Sequence, residues 1–177
     1  MKRLTLLRHA KSDWDDMTLR DFDRGLNDRG RRGAEAIGAH LRAIGWHCDA
    51  ALASPAARVK RTLEGTAIDV RPYYDDRLYL ADAITLMSVI RECAGDAQSL
   101  LVAAHNPGLQ ELVFELVDPD QDSDLLTEAG KKFPTAALAV LELDIDRWSD
   151  LCAGCGRLVH FARPRDLDPE LGPERVA

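Results

Sequence analysis

The chain has no apolar run approaching the roughly 20 residues that a membrane-crossing helix requires. Its opening stretch, Met1-Lys2-Arg3-Leu4-Thr5-Leu6-Leu7-Arg8, breaks its apolar run too early for a secretory leader. A cytoplasmic address, away from membranes, is the resulting expectation. Positive charge is also in deficit, with 23 basic side chains against 30 acidic ones and a net charge of −7. That balance argues against general attraction to nucleic acid or an anionic bilayer, so an anionic ligand needs a local basic pocket. Cysteine is sparse. Of Cys48, Cys93, Cys152 and Cys155, only the last two are close, as Cys-Ala-Gly-Cys. A zinc site there lacks two further ligands, with His160 the obvious neighbour, so no metal or other cofactor is expected. The pair reads as small residues in a Gly-containing turn. No internal repeat, low-complexity block or linker divides the 177 residues, a length that buries one core but not comfortably two. One domain over 1–162 is expected, then an extended surface tail over 163–177.

What is present is an alternation of apolar runs with segments of helical period, the pattern of strands feeding crossover helices in a mostly parallel sheet. The fold class is therefore α/β. Strands are expected over 3–7, 50–53 and 70–73, with a buried central one over 99–104. Runs over 136–143 and 157–162 form an antiparallel hairpin across a Gly-rich turn. Asn27 or Asp28 caps a first helix that buries Ala34, Ile37, Leu41 and Ile44 before Gly45 stops it. A second helix over 56–68 takes Ser54 as cap and Pro55 as its first residue. A third, over 83–93, shows Ile84, Met87 and Ile90 on one side. Pro107-Gly108 breaks the chain before a stripe of Leu109, Leu112, Val113 and Leu116.

Three separated segments place basic residues just beyond expected strands: Arg8-His9, Arg58 and His105. In open parallel sheets the ligand crevice lies outside the carboxyl ends of the strands, so these side chains can converge. Two guanidinium groups offer donor forks to phosphate oxygens, and His105 adds a further donor. His9 is then left as a nucleophile whose neutral imidazole attacks phosphorus, splitting one difficult displacement into two easier ones. Each piece also has an innocent reading. Arg8-His9 can be a solvated strand edge, Arg58 with Lys60 and Arg61 the polar face of a helix, and His105-Asn106-Pro107-Gly108 a turn.

Taken together, Leu7-Arg8-His9-Ala10-Lys11-Ser12, Leu26-Asn27-Asp28-Arg29-Gly30, Ser54-Pro55-Ala56-Ala57-Arg58-Val59-Lys60-Arg61-Thr62, His105-Asn106-Pro107-Gly108 and Pro134-Thr135-Ala136-Ala137 resemble the histidine phosphatase superfamily. Within it they are most similar to the small SixA-type phosphohistidine phosphatases. The segments run in the family's order over about residues 3–143. The resemblance implies a three-layer α/β/α sandwich of the phosphoglycerate mutase-like kind and metal-independent chemistry. It also implies phosphorylation of His9 in a pocket made by Arg8, Arg58 and His105. Lys11 or Ser12 matches a phosphate-binding position of the family, although Lys11 reads equally as a solvated loop lysine. The Asn106 amide is expected to donate to the phosphoryl group, and Thr135 to line the same mouth.

The sequence departs from many superfamily members where a carboxylate would protonate an alcohol leaving group. Over residues 75–82, Asp82 is the nearest candidate for that general acid, and it caps the following helix equally well. Without a proton donor, alkyl phosphates suffer by about two to four powers of ten, whereas phosphohistidine expels imidazole readily. The expected substrate is thus phosphohistidine, on a protein such as a histidine phosphotransfer domain or as a small molecule. A general phosphomonoesterase of small phosphate esters and a non-catalytic phosphoprotein-binding module are the alternatives. A mutase is disfavoured by the same missing acid. The polar loop over 13–24, with Trp14 and Phe22, is either a cover for the substrate or an ordinary buried loop.

Overall fold

A computed structural model describes residues 1–173. Its strands are β1 (Lys2–Arg8), β2 (Ala50–Ala53), β3 (Pro72–Tyr74), β4 (Ser99–Ala104), β5 (Leu138–Leu143) and β6 (Gly156–Ala162). Its helices are α1 (Asp28–Ala43), α2 (Ala57–Thr66), α3 (Ala83–Cys93), α4 (Gly108–Leu116), α5 (Asp124–Lys131) and α6 (Pro164–Leu167). The strands form one six-stranded sheet in the order β3-β2-β4-β1-β5-β6. β3, β2, β4 and β1 are mutually parallel, while β5 runs antiparallel to β1 and β6 antiparallel to β5. The expected central strand, β4, does lie between β2 and β1, and the terminal hairpin forms as expected.

Strand alternation divides the interior into two layers. Leu4, Leu6, Leu100, Val102, Leu141 and Leu143 face α3 and α4 in one core, which also holds Trp148. Leu7, Ala51, Ala53, Leu101, Ala103 and Leu138 face α1 and α2 in the other. The result is the three-layer α/β/α arrangement. Among the described residues no helix is long and apolar enough to cross a membrane.

Several local readings are corrected. Of the two expected caps of α1, Asn27 serves, its side chain accepting from the Gly30 amide at 2.8 Å, but Ile44 lies past the helix end and is 49% exposed rather than on the buried face. Ser54 does not cap α2; Ala56 stands at that position, and the helix starts at Ala57. In α3 the buried face is Leu86, Met87, Val89 and Ile90, whereas Ile84 is 77% exposed. α5, unforeseen in the sequence, begins after Ser123, whose hydroxyl accepts from Leu126 N. The segment expected as an extended tail instead folds back after β6. Pro164 opens α6, Asp166 Oδ2 accepts from Arg163 N at 3.0 Å, and Pro164 and Leu171 are buried. Arg29 donates to the Gly172 carbonyl and Arg32 reaches Glu170 at 2.8 Å, pinning the segment to α1. The expected tail's last four residues, 174–177, lie outside the described residues.

Candidate active site

β1, β2 and β4 end side by side at the carboxyl edge of the sheet. Arg8 closes β1 and His9 follows it; His9 N donates to Ala104 O at 3.2 Å, and its own carbonyl accepts from Ala136 N at 2.9 Å. Ala10 N then donates to Thr62 Oγ1 at 2.8 Å, and that hydroxyl donates to Arg58 O at 2.6 Å. A single threonine thus ties the turn after His9 to the helix that carries Arg58. Two glycines permit this closeness. At Gly30 a Cβ would overlap the Lys11 carbonyl oxygen, and at Gly108 it would overlap that of Ala81. The first draws α1 against the His9 turn and the second draws α4, just after His105, against the loop leading into α3.

The four residues expected to converge do so. The rings of His9 and His105 lie 5.3 Å apart, and Arg58 Nη2 donates to His105 Nδ1 at 3.3 Å. His9, Arg58 and His105 are 8%, 4% and 1% exposed. Arg8 Nη1 donates to Phe133 O at 2.9 Å, while its buried Nε has no partner. Burial lowers the Arg8 pKa, and the Arg58 charge lowers it further.

The partners fix both histidine tautomers. His9 Nδ1 lies 2.8 Å from Ala10 O, so it carries the proton and donates, leaving the Nε2 lone pair free. His105 accepts from Arg58 at Nδ1 and therefore donates from Nε2 to Ser54 Oγ at 2.8 Å. Burial above all, with the two arginines adding to it, pushes the His9 pKa down to about 4 despite the opposing bond to Ala10. Burial, then His9 and Arg58, take His105 to about 3. Both rings are therefore uncharged at neutral pH.

The remaining expected residues divide. Lys11 and Thr135 line a cleft of about 760 Å³ that begins at Arg8 and Ala10. Ser12 turns elsewhere, its hydroxyl accepting from Trp14 Nε1 at 3.1 Å and its backbone bridging to Leu26. Asn106 Nδ2 donates to Phe133 O at 3.0 Å, and among the described residues the Asn106 backbone amide is engaged by no other backbone group. Asp82 caps α3, accepting from Thr85 N at 2.8 Å, and that bond holds its carboxyl below the ordinary pKa. An acid kept ionised in this way does not suit the proton-donor role considered for it.

Four residues at the site went unread. Ser54 and Thr62 stand inside a motif already picked out, where the serine was taken for a cap. Asp21 comes from the 13–24 loop: its carbonyl accepts from Arg58 Nη1 at 2.8 Å and its Oδ2 from Arg58 Nη2 at 3.0 Å. Tyr79 donates to the same Oδ2 at 2.5 Å and packs edge-on against His105 and Phe22, with ring centroids 5.5 and 5.1 Å away. The bonds from Tyr79 and then Arg58 lower the Asp21 pKa. The loop is therefore docked over Arg58. No spacing rule marks Asp21; the sole signal was an acid beside Phe22 in a polar loop.

Comparison with known proteins agrees with this layout. The profile of the family described as the histidine phosphatase superfamily (branch 1) matches residues 4–79. The uncharacterized protein Rv1276c of Mycobacterium tuberculosis is 38% identical over 160 residues, which cover 90% of this chain and all of that one. Among solved structures, a proposed phosphohistidine phosphatase SixA from Nakamurella multipartitia is 30% identical with a TM-score of 0.82, covering 92% of this chain and 96% of that one. A second, from Agrobacterium tumefaciens, is 32% identical with a TM-score of 0.75, covering 92% and 98%.

Proposed function

This chain belongs to the histidine phosphatase superfamily, branch 1, and from that premise we propose that it hydrolyses phosphohistidine on a protein, through a phosphoryl group carried on His9. The observation that carries the reading is the convergence of an uncharged His9 with Arg8, Arg58 and His105, beside carboxylates that have no proton to give.

In the first step the His9 Nε2 lone pair attacks phosphorus, the N–P bond of the substrate breaks, and the departing imidazole takes a proton from water. Arg8 and Arg58 hold the non-bridging oxygens, where developing negative charge is stabilised by donors already in place. The Asn106 amide, at the approach to α4, is a further donor to the same group. In the second step water attacks phosphorus, the His9–phosphorus bond breaks, and orthophosphate leaves with the water's oxygen. Asp21 is ionised and Asp82 is spent on a helix cap, so neither protonates an alkoxide. A leaving group that departs without such help fits best, and phosphohistidine provides one. The partner that presents it is a phosphorylated protein, with a histidine phosphotransfer domain as the obvious form.

A rapid-quench experiment with a labelled phosphohistidine protein tests this. The expected result is an acid-labile, alkali-stable label on the enzyme that disappears in His9→Ala, together with turnover at least about 100-fold faster than on alkyl phosphates. Preference for the alkyl esters would move the assignment to a general phosphomonoesterase. No label, with tight phosphate binding, would make the protein a phosphate-recognition module.

A further inference from the structure

The cleft lined by Arg8 and Ala10 gathers an excess of positive charge that the proposed reaction does not use. Lys11 from the β1 end, Arg29 from the first turn of α1, Lys132 after α5 and Arg165 in α6 join Arg8 along its walls. Among the described residues one carboxylate, Asp28, also lines it, and that group pairs with Arg31. The acids nearby in sequence are spent in the same way. Glu128 binds Lys131 at 2.8 Å and Arg163 at 3.1 Å, and Asp166 binds Arg163 at 2.9 Å. Asp168 and Glu170 both bind Arg32, at 3.3 and 2.8 Å. Lys11, Lys132 and Arg165 consequently have no ion-pair partner among the described residues, in a chain whose net charge is −7. Like charges gathered without a counterion are held apart from their acids at an energetic cost, and an anionic ligand relieves it.

The walls also indicate what kind of anion. A volume of about 760 Å³ is far more than one phosphate fills. Among the described residues no aromatic side chain lines the cleft, so a nucleotide base or sugar ring finds no platform there to stack on. The cations stand on flexible stems contributed by separate elements, which suits several carboxylates spaced along an extended chain. We propose that this cleft receives an acidic segment flanking the phosphohistidine of a protein substrate, with Lys132 and Arg165 as its specificity-determining contacts. The inference rests on the hydrolysis of phosphohistidine proposed above. Arg8 and Ala10, the residues on either side of His9, both line the cleft, so a chain seated there lies against the segment that carries the nucleophile.

The test uses two phosphohistidine peptides that differ only in their flanks, one acidic and one with the acids replaced by amides. Wild-type protein is expected to favour the acidic peptide by about tenfold in kcat/KM, through KM, with the preference fading as salt rises from low to physiological strength and beyond. The Lys132→Gln, Arg165→Gln double variant should bring the two peptides within about twofold, while turnover of the amide-flanked peptide stays unchanged. Equal rates on both peptides in the wild type, or a preference that survives in the double variant, overturn the proposal. So does a wild-type preference for inorganic triphosphate over the acidic peptide that the double variant loses, because it assigns the cleft to a small polyanion. Failure to turn over either peptide would count against phosphohistidine hydrolysis alone. Fluorescence anisotropy of the unphosphorylated acidic peptide then decides the cleft separately: binding lost in the double variant sustains it, and absence of binding to wild type removes it.

Discussion

His9 has its Nε2 lone pair available far below the pH at which an ordinary imidazole loses it, because a buried ring beside two guanidinium groups resists protonation. The free enzyme should accordingly keep its kcat/KM down to about pH 4, once the substrate's own ionisation has been measured and divided out. An acid limb near pH 6.5 would show that the ring is not shielded as described. In the proposed reaction Arg58 faces the opposite demand, since it would meet two oxygens with one planar fork. Arg58→Ala should lower kcat/KM by about 100- to 1000-fold, and Arg58→Lys should recover little of it, because a lysine is a single point donor. These residues were legible from sequence because each follows a strand at the same sheet edge. Ser54 was not, because a serine before a proline looks like a helix cap whether or not a histidine lies across from it.

At the scale of elements, the docked loop over 13–24 and the cap of α3 make separable predictions. Asp21 occupies the guanidinium face of Arg58 that an incoming phosphate would share, and Tyr79 fastens the same carboxylate. Asp21→Asn should weaken both attachments. Inorganic phosphate should then bind several-fold more tightly, and the loop should be cut faster in limited proteolysis. Unchanged phosphate affinity would mean that the carboxylate does not compete. Asp82→Ala removes the side-chain acceptor for Thr85 N and should cost about 1 kcal/mol in urea unfolding, with phosphohistidine turnover preserved. A large loss of turnover would restore Asp82 as a chemical participant. The elements themselves were readable where periodicity was strong: α3 and β2 were placed to the residue. α5 escaped because it is only eight residues long, buries only Ala129 and carries Gly130, which leaves too few apolar positions to mark a helical period. The segment after β6 escaped for another reason. Its three prolines suggested an extended chain, yet Pro164 sits at the first position of a helix, where a missing N–H costs nothing.

The whole molecule carries its two deeply placed histidines uncharged, and that links its stability to pH. Unfolding returns each ring to an ordinary value near 6.5, whereas the native values are about 4 and 3. Between pH 6.5 and 4 the unfolded chain therefore takes up protons that the native protein refuses. The stabilisation is fully present above pH 6.5 and is lost as the pH falls, by up to about 1.4 kcal/mol per pH unit for each ring. The urea midpoint should drop clearly between pH 7 and pH 5, and it should do so in high salt as well, because burial is not screened by ions. A flat midpoint over that range would contradict the account. The layered architecture was legible as a whole because strands buried on both faces read as short continuous apolar runs. The shape of the cleft was not, because it depends on the chain after β6 folding back onto α1.

That fold-back has a practical corollary for anyone who purifies the protein. Pro173 stands among the residues that line the cleft. An oligohistidine handle joined directly after Pro173 would start next to the basic walls, carrying imidazoles of its own that can mimic or intercept the proposed cargo. Met1 directly precedes β1, at the end of that strand away from Arg8, and a handle placed there leaves the entrance clear.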